Sequence, residues 1–216
     1  MPTIYGAFRS RATRPIWLMY EAGAEFTHVP VVQAYRASAA GAAVTTTSPE
    51  FLAINPQAQV PAMQDGDLVL TESLAIALYL ARRYGGDLGP RDLAEEGQAM
   101  QWALVGATAV ETPALDIGYT YMQGTSDTPE SKALIAERLA TLARPFARIE
   151  AHLQGRDWLM GGRFTVADIC LAECVRYCMM HPGAYDPYPA LKAWLARCHA
   201  RPAFQKMWAE RNAEAA

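Results

Sequence analysis

Two short stretches of this sequence combine hydroxyls, positive charge and the start of a helix. In the first, Ser10 stands between Arg9 and Arg11, followed by Thr13, Arg14 and Pro15. Proline is tolerated only in the first turn of a helix, so a helix begins near Ala12–Arg14. A hydroxyl just ahead of that N-terminus sees the positive end of the helix dipole, and the flanking guanidinium groups add to it. Such a place stabilises an anion. Ser10 and Thr13 are also residue types that cap helices and need no ligand. In the second stretch, Thr71-Glu72-Ser73 opens another helix, whose free N–H groups suit a carboxylate, though the same residues fit an ordinary helix start. Between the two, Pro61 opens a strand, where a Val60–Pro61 bond can be cis. A cis bond turns the N–H and C=O of Val60 outward, an edge able to pair with a peptide backbone.

The elements that would position these residues alternate over the first 84. Thr3-Ile4-Tyr5 is a short strand, Ile16–Ala22 has helical spacing with Gly23 as its stop, and Phe26–Val32 is a second strand. Strand, helix and strand in some thirty residues make a βαβ unit with parallel pairing. Val60–Met63 and Leu68–Leu70 flank Asp65-Gly66, a hairpin signal. A helix follows over Glu72–Tyr84, apolar around most of its circumference. Gly85-Gly86 and Gly89-Pro90 then break the pattern. Beyond Arg91 every strong signal is helical. Leu93–Tyr121 reads as one long helix kinked at Pro113, whose ring collides with the carbonyl of Ala109. Pro129–Leu153 is a second with a bend at Pro145, Thr165–Met180 a third, and Pro189–His199 and Pro202–Arg211 the last two. Thr165-Val166-Ala167-Asp168 is a capping box. The expected architecture is an α/β domain over residues 1–84, a linker at 85–91 and an all-α helical domain at 92–216.

Composition bounds the function. The 216 residues are 51% hydrophobic and 19% charged, with 40 alanines, which excludes intrinsic disorder and favours packed helices. A net charge of −3 with no basic cluster argues against a nucleic-acid partner. The longest nearly apolar run, Trp102–Val110, is half a bilayer span, so no membrane role is expected. Met1–Arg14 carries three arginines and no apolar stretch after them, unlike a secretory signal. Cys170, Cys174 and Cys178 fall on one helical face, and with Cys198 they read as a buried small-residue stripe. A metal site with His181 would lack the C-x-x-C spacing of zinc motifs. No metal is expected, and the cysteine usage fits a reducing, cytoplasmic setting.

Taken together, Asn55-Pro56-x-x-x-Val60-Pro61, the Asp65-Gly66 hairpin and the run Glu72–Leu80 resemble the cytosolic glutathione transferase family. Tyr5-x-x-Phe8-Arg9-Ser10 is similar to its bacterial-type, serine-type members. The resemblance covers almost the whole chain and is tightest over residues 2–23, 51–84 and 164–171. It implies a thioredoxin-like N-terminal domain followed by the helical one. It also implies glutathione as co-substrate, lying along Val60-Pro61, with its γ-glutamyl carboxylate at Glu72 and Ser73. Gln59 is implied as a supplementary contact, and the thiol would face Ser10 and Arg11. Tyr5 occupies a place that tyrosine-type classes use, so it is the alternative activating hydroxyl. Residues 1–169 contain no cysteine, which excludes glutaredoxin-like disulfide chemistry on a protein thiol. The Ala37–Ser48 segment offers no Lys or His for the glycine carboxylate.

The implied reaction is conjugation of glutathione to a hydrophobic electrophile, a detoxification chemistry. The expected electrophile pocket is formed by Phe8, Ala107, Glu111 and Leu115, with Tyr119 closing it. A glutathione-dependent isomerase, which consumes no glutathione, is the competing enzyme class. A non-catalytic binding or scaffold protein is the other. A homodimer is expected, because helix 72–84 has more apolar faces than one sheet covers.

Overall fold

The computed structural model describes residues 1–37 and 44–214 and divides the chain into two units, Met1–Gly89 with the segment from Ala200 onward, and Pro90–His199. Part of the Ala37–Ser48 segment, which offers no Lys or His, therefore lies outside the described residues.

The first unit is built on a four-stranded sheet. Its elements are β1 (Thr3–Tyr5), α1 (Thr13–Ala22), β2 (Thr27–Val29), α2 (Pro49–Leu52), β3 (Ala62–Asp65), β4 (Leu68–Thr71) and α3 (Ser73–Tyr84). The strand order is β2-β1-β3-β4. β1 and β2 are parallel, as a βαβ unit requires, while β3 is antiparallel to both β1 and β4. The second strand is shorter than the expected 26–32 and is an edge strand with no buried residue. Its β-branched neighbours Val31 and Val32 are buried beyond the ladder.

Side chains alternate across a sheet, so Ile4 with its partner Met63 and Tyr5 with its partner Ala62 face opposite sides. Ile4 and Met63 are fully buried, as are Ile16, Leu18 and Met19 of α1 and Ile76 and Leu80 of α3. On the other face Val31, Phe51 and Ala62 form a small core that Tyr5, Val29 and Val60 pack against. Gly23 ends α1 in the left-handed conformation, with its N–H turned back on the last helical carbonyls. In the β3–β4 turn Asp65 pairs with Leu68, leaving Gly66 and Asp67 in the loop. Positive φ at Gly66 alone gives the type II′ pattern. Tyr79 and Tyr84 both donate to Asp65 Oδ2, at 2.9 and 2.7 Å, fastening α3 to this turn.

In the second unit the expected long helix 93–121 is α4 (Leu93–Val105), a π-helical turn (Gly106–Val110) and α5 (Glu111–Met122). The break thus falls before Pro113. The wide turn spans Ala109, whose carbonyl would otherwise meet the proline ring. α6 (Pro129–Leu153) runs through Pro145, α7 spans Val166–Val175 and α8 spans Pro189–His199. The third expected helix stops at Val175, where the chain tightens into a 3₁₀ turn over Arg176–Cys178. The Glu173–Arg176 ion pair, with both side chains at most 5% exposed, sits across that transition. The capping box is present at the start of α7. Asp168 Oδ2 accepts from the Thr165 N–H and hydroxyl, and Oδ1 accepts from Leu159 N–H and the Trp194 indole.

One element differs from the expected 92–216 domain. α9 (Pro202–Ala213) belongs to the first unit, where Phe204 packs edge-on against Trp17 of α1 and Arg201 forms two hydrogen bonds to Glu21. Sequence order does not foretell this, because α9 returns to the element it packs on after more than a hundred residues. All four cysteines are buried free thiols. Among the described residues no cluster of three His, Cys, Asp or Glu side chains converges as a metal site. No described helix is long and apolar enough to cross a membrane.

Candidate functional site

The loop from β1 to α1 brings Ser10 to the neighbourhood of Val60. Gly6 holds φ at +151°, a region favouring glycine, and a Cβ there would stand 3.4 Å from Val60 Cβ and 3.6 Å from Ser10 Oγ. It would also come within 2.8 Å of Ala12 Cβ, so the loop closes only over a glycine. The Val60–Pro61 bond is cis. Asn55, buried, shapes the approach to it by donating to the Gln59 carbonyl at 2.8 Å and accepting from Gln57 N–H. That leaves Gln59 exposed and Val60 half-buried.

Ser10 is half-buried. Its hydroxyl donates to the Ala7 carbonyl at 2.6 Å, and its Oγ accepts from the N–H of Ala12 at 3.1 Å. The capping role and the anion role are therefore not exclusive, since the hydroxyl proton can turn about Cβ–Oγ while Oγ stays in place. Thr13 lies one step further on and donates to the Ser10 carbonyl. Arg11 is exposed. Phe8 stacks edge-on against His28, with ring centroids 4.8 Å apart, and His28 Nε2 bonds the Gly6 carbonyl. Tyr5, the alternative hydroxyl, is engaged elsewhere. It packs on the Phe51 core and donates to Gln64 Oε1 at 3.4 Å.

At the second helix start, Glu72 holds φ +66° and ψ +106°, a conformation few non-glycine residues adopt. Such a residue costs on the order of 1–3 kcal/mol and persists where the surroundings enforce it. The Glu72 side chain makes no cap hydrogen bond to the first N–H groups of α3. Ser73 is buried, and its Oγ accepts from Arg14 Nη1 at 2.9 Å.

That contact involves a residue the sequence reading did not place in the site. Arg14 is 1% exposed. It lies in the first turn of α1 and touches the first residue of α3, so the N-termini of both helices meet at a buried guanidinium. Two positive dipole ends and a cation in one place attract negative charge. A signal was available: Arg14, Trp17 and Leu18 share one helical face, and the other two are plainly core residues.

The helical-unit residues expected around the electrophile lie along the π turn and α5. Ala107 lies in the π turn, half-buried, and Leu115 is half-buried on α5. Glu111, 8% exposed, accepts a hydrogen bond from the Cys174 thiol at 3.6 Å. Tyr119 is 47% exposed.

Comparison with known proteins covers most of the chain. Residues 1–82 match the family model for the glutathione S-transferase N-terminal domain, and residues 100–202 match the one for the C-terminal domain. Glutathione S-transferase 1 of Triticum aestivum is 32% identical over 211 residues, covering 92% of this chain and 89% of its own. The crystal structure of glutathione transferase F7 from Populus trichocarpa superimposes with a TM-score of 0.81 at 27% identity, over 98% of this chain and 100% of that one. The theta class glutathione S-transferase of Xanthomonas axonopodis pv. citri, solved with glutathione bound, gives a TM-score of 0.77 at 32% identity, over 95% of both chains. With its mixed-sheet thioredoxin-like domain and helical second domain, the chain belongs to the glutathione S-transferase family.

Proposed function

We propose that the protein activates the thiol of glutathione and joins the tripeptide through its sulfur to an apolar electrophile. The observation that carries this reading is the meeting of Ser10, the Val60–Pro61 backbone and two helix N-termini joined through Arg14 and Ser73. In this reading the main chain of Val60 and Pro61 pairs with the tripeptide, and Gln59 lends a side-chain contact. The main-chain N–H groups at Glu72 and Ser73, the Ser73 hydroxyl and the N–H groups that open α3 receive the γ-glutamyl carboxylate. Ser73 accepts from Arg14, so its own proton is left to donate to that carboxylate. Arg11 contributes positive charge near the sulfur.

The sulfur loses its proton to solvent and is held as thiolate by the Ser10 hydroxyl, swung off the Ala7 carbonyl. A sulfur electron pair then forms the S–C bond. A leaving group departs with the bonding pair, or a conjugated double bond takes up the electrons and is later protonated. Phe8, two residues from Ser10, offers an apolar face to the electrophile. The commitment of the Tyr5 hydroxyl to Gln64 supports serine-type activation over tyrosine-type.

The partner proposed besides glutathione is a second copy of the chain. Leu93, Gly97, Met100 and Leu104 recur along α4 at four-, three- and four-residue spacing and are all exposed, as an interhelical seam would be. A cytoplasmic setting is proposed from the four free buried thiols.

The reading is tested on immobilised glutathione, with an activated aryl halide as electrophile. Retention, elution by free glutathione and a conjugate formed one-for-one with glutathione consumed are the expected results. Failure to bind would leave a scaffold protein. Turnover of a substrate without loss of glutathione would make the protein an isomerase.

A further inference from the structure

The loop that carries Ser10 is held from outside by a carboxylate far away in sequence. Glu214, just beyond α9, places Oε1 2.9 Å from the N–H of Phe8 and Oε2 2.7 Å from the N–H of Arg9. The Arg9 guanidinium returns the contact, with Nε donating to the Glu214 carbonyl at 2.9 Å. Arg211, one helical turn earlier, donates to the Phe8 carbonyl at 3.1 Å. All of these residues belong to the first unit.

One peptide group links this clamp to the proposed nucleophile site. The peptide between Ala7 and Phe8 donates its N–H to Glu214 and accepts the Ser10 hydroxyl at its carbonyl. A carboxylate on the N–H side fixes the plane of that peptide and, through it, the point from which Ser10 Oγ is anchored. Hydrogen bonds to an ionised acceptor are roughly twice as strong as neutral ones, and two on adjacent N–H groups define an orientation. The Arg9 carbonyl is held separately, by Arg36 Nη1 at 3.2 Å, so without Glu214 the Phe8 and Arg9 carbonyls keep their guanidinium contacts and the two N–H groups lose theirs.

We propose that Glu214 is a positioning residue for Ser10, acting through the Ala7–Phe8 peptide with Arg211 as its support. The proposal rests on Ser10 being the thiol-activating hydroxyl. Two effects of the carboxylate oppose each other. By polarising the peptide it strengthens the Ala7 carbonyl as a competitor for the serine proton, an increment of about 10–30% of one hydrogen bond. By fixing the loop it keeps Oγ in place, and two charge-assisted bonds outweigh that increment.

The experiment follows the ultraviolet absorbance of the thiolate of bound glutathione against pH, alongside kcat/KM, in Glu214→Gln, Ser10→Ala and the double variant. A glutamine can accept only one of the two N–H groups and presents its NH₂ to the other. The expected result for Glu214→Gln is part of the Ser10→Ala effect, a thiol midpoint raised by about half a pH unit and kcat/KM down about threefold at neutral pH. Retention on immobilised glutathione and melting temperature should stay close to wild type. In the Ser10→Ala background the same substitution should add nothing, since residues acting through one another are not additive. Arg211→Gln, a milder perturbation, should move the midpoint in the same direction by less. A wild-type midpoint in Glu214→Gln, with Ser10→Ala shifted, overturns the clamp and leaves the serine reading standing. An unshifted Ser10→Ala overturns both. Equal effects of Glu214→Gln with and without the Ser10 hydroxyl overturn the route through Ser10.

Discussion

Replacing Ser10 with Ala should raise the pKa of bound glutathione by about one unit, and the size follows from what the hydroxyl does in this structure. A free thiol has a pKa near 8.5, leaving about 3% thiolate at pH 7. The Ser10 proton is not idle, because it bonds the Ala7 carbonyl at 2.6 Å. Donating to a thiolate therefore exchanges a neutral hydrogen bond, worth about 0.5–1.5 kcal/mol, for a charged one worth about 1.5–3. The difference, roughly 1–1.5 kcal/mol, is about one pKa unit. The helix N-terminus behind it adds about 0.3–1 kcal/mol and survives the substitution. Turnover at pH 7 should fall about tenfold, while at pH well above 9 the variant should approach wild type, since the thiol then ionises unaided. Tyr5→Phe removes a 3.4 Å bond to Gln64 and should leave the midpoint in place. Thr13→Ala should act less than Ser10→Ala, because Thr13 donates to the Ser10 carbonyl and not to the site. The assay is thiolate absorbance against pH for each variant, with the pH profile of kcat/KM beside it. A raised midpoint in Tyr5→Phe with an unmoved one in Ser10→Ala would refute the reasoning and make the protein tyrosine-type.

Three further outcomes are expected. Asp168→Ala strips the partner from three N–H donors at a fully buried site, at about 1–3 kcal/mol each with incomplete additivity. A loss of about 3 kcal/mol, or a melting temperature roughly 6–12 °C lower, should appear in thermal unfolding, and a change under 1 kcal/mol would count against the capping box as a folding anchor. Glu95, paired with Arg163 at 2.6 Å and bonded by Arg91 N–H, has its pKa pulled from 4.5 down to about 2. A depressed carboxylate pKa stabilises the fold fully above the unfolded value, so this contribution should be lost as pH falls from about 4.5 to 2. Glu95→Gln should show a flatter stability profile there, and an unchanged acid slope would reject the pairing. Light scattering at micromolar concentration should give about twice the 23.6 kDa chain mass, with Leu104→Glu reducing it; a monomer would show that the α4 stripe is not an interface.

Local signals in this sequence carried far and distant ones did not carry at all. Gly23 as a stop, the Asp65-Gly66 turn, the capping box at Thr165–Asp168 and the parallel β1–β2 pair each depend on residues within about thirty positions. All four are present in the structure. The proline at 113 announced a disturbance correctly, yet its form as a π turn at 106–110 depends on packing. Gly106 there leaves room for Cys174, whose Sγ lies 3.0 Å from where a Cβ would stand. Likewise Thr165–Met180 reads as one apolar helix, and the buried Glu173–Arg176 pair sits where it tightens. The first case needs a partner element that periodicity does not name, and the second an ion pair that an apolar pattern does not show.

The site divides along the same line. Ser10, Val60, Pro61, Glu72 and Ser73 announced themselves because each sits at a turn or a helix start, where residue type is tied to backbone geometry. Arg14 and Glu214 did not, since a charged side chain reads by default as solvated. Arg14 reaches Ser73 across 59 positions, and Glu214 reaches Phe8 across 206. Both sets also differ in what they do. The legible residues are those that would touch glutathione, and the illegible ones hold them in place: a buried guanidinium joins the two helix starts, and a carboxylate steadies the peptide that anchors the serine. A ligand constrains the residues it meets to particular types at particular backbone positions, whereas a support needs only some group of the right charge arriving from anywhere in the chain. The supports of a site are therefore where a structure adds most to a sequence, and Glu214 is the sharpest instance in this protein.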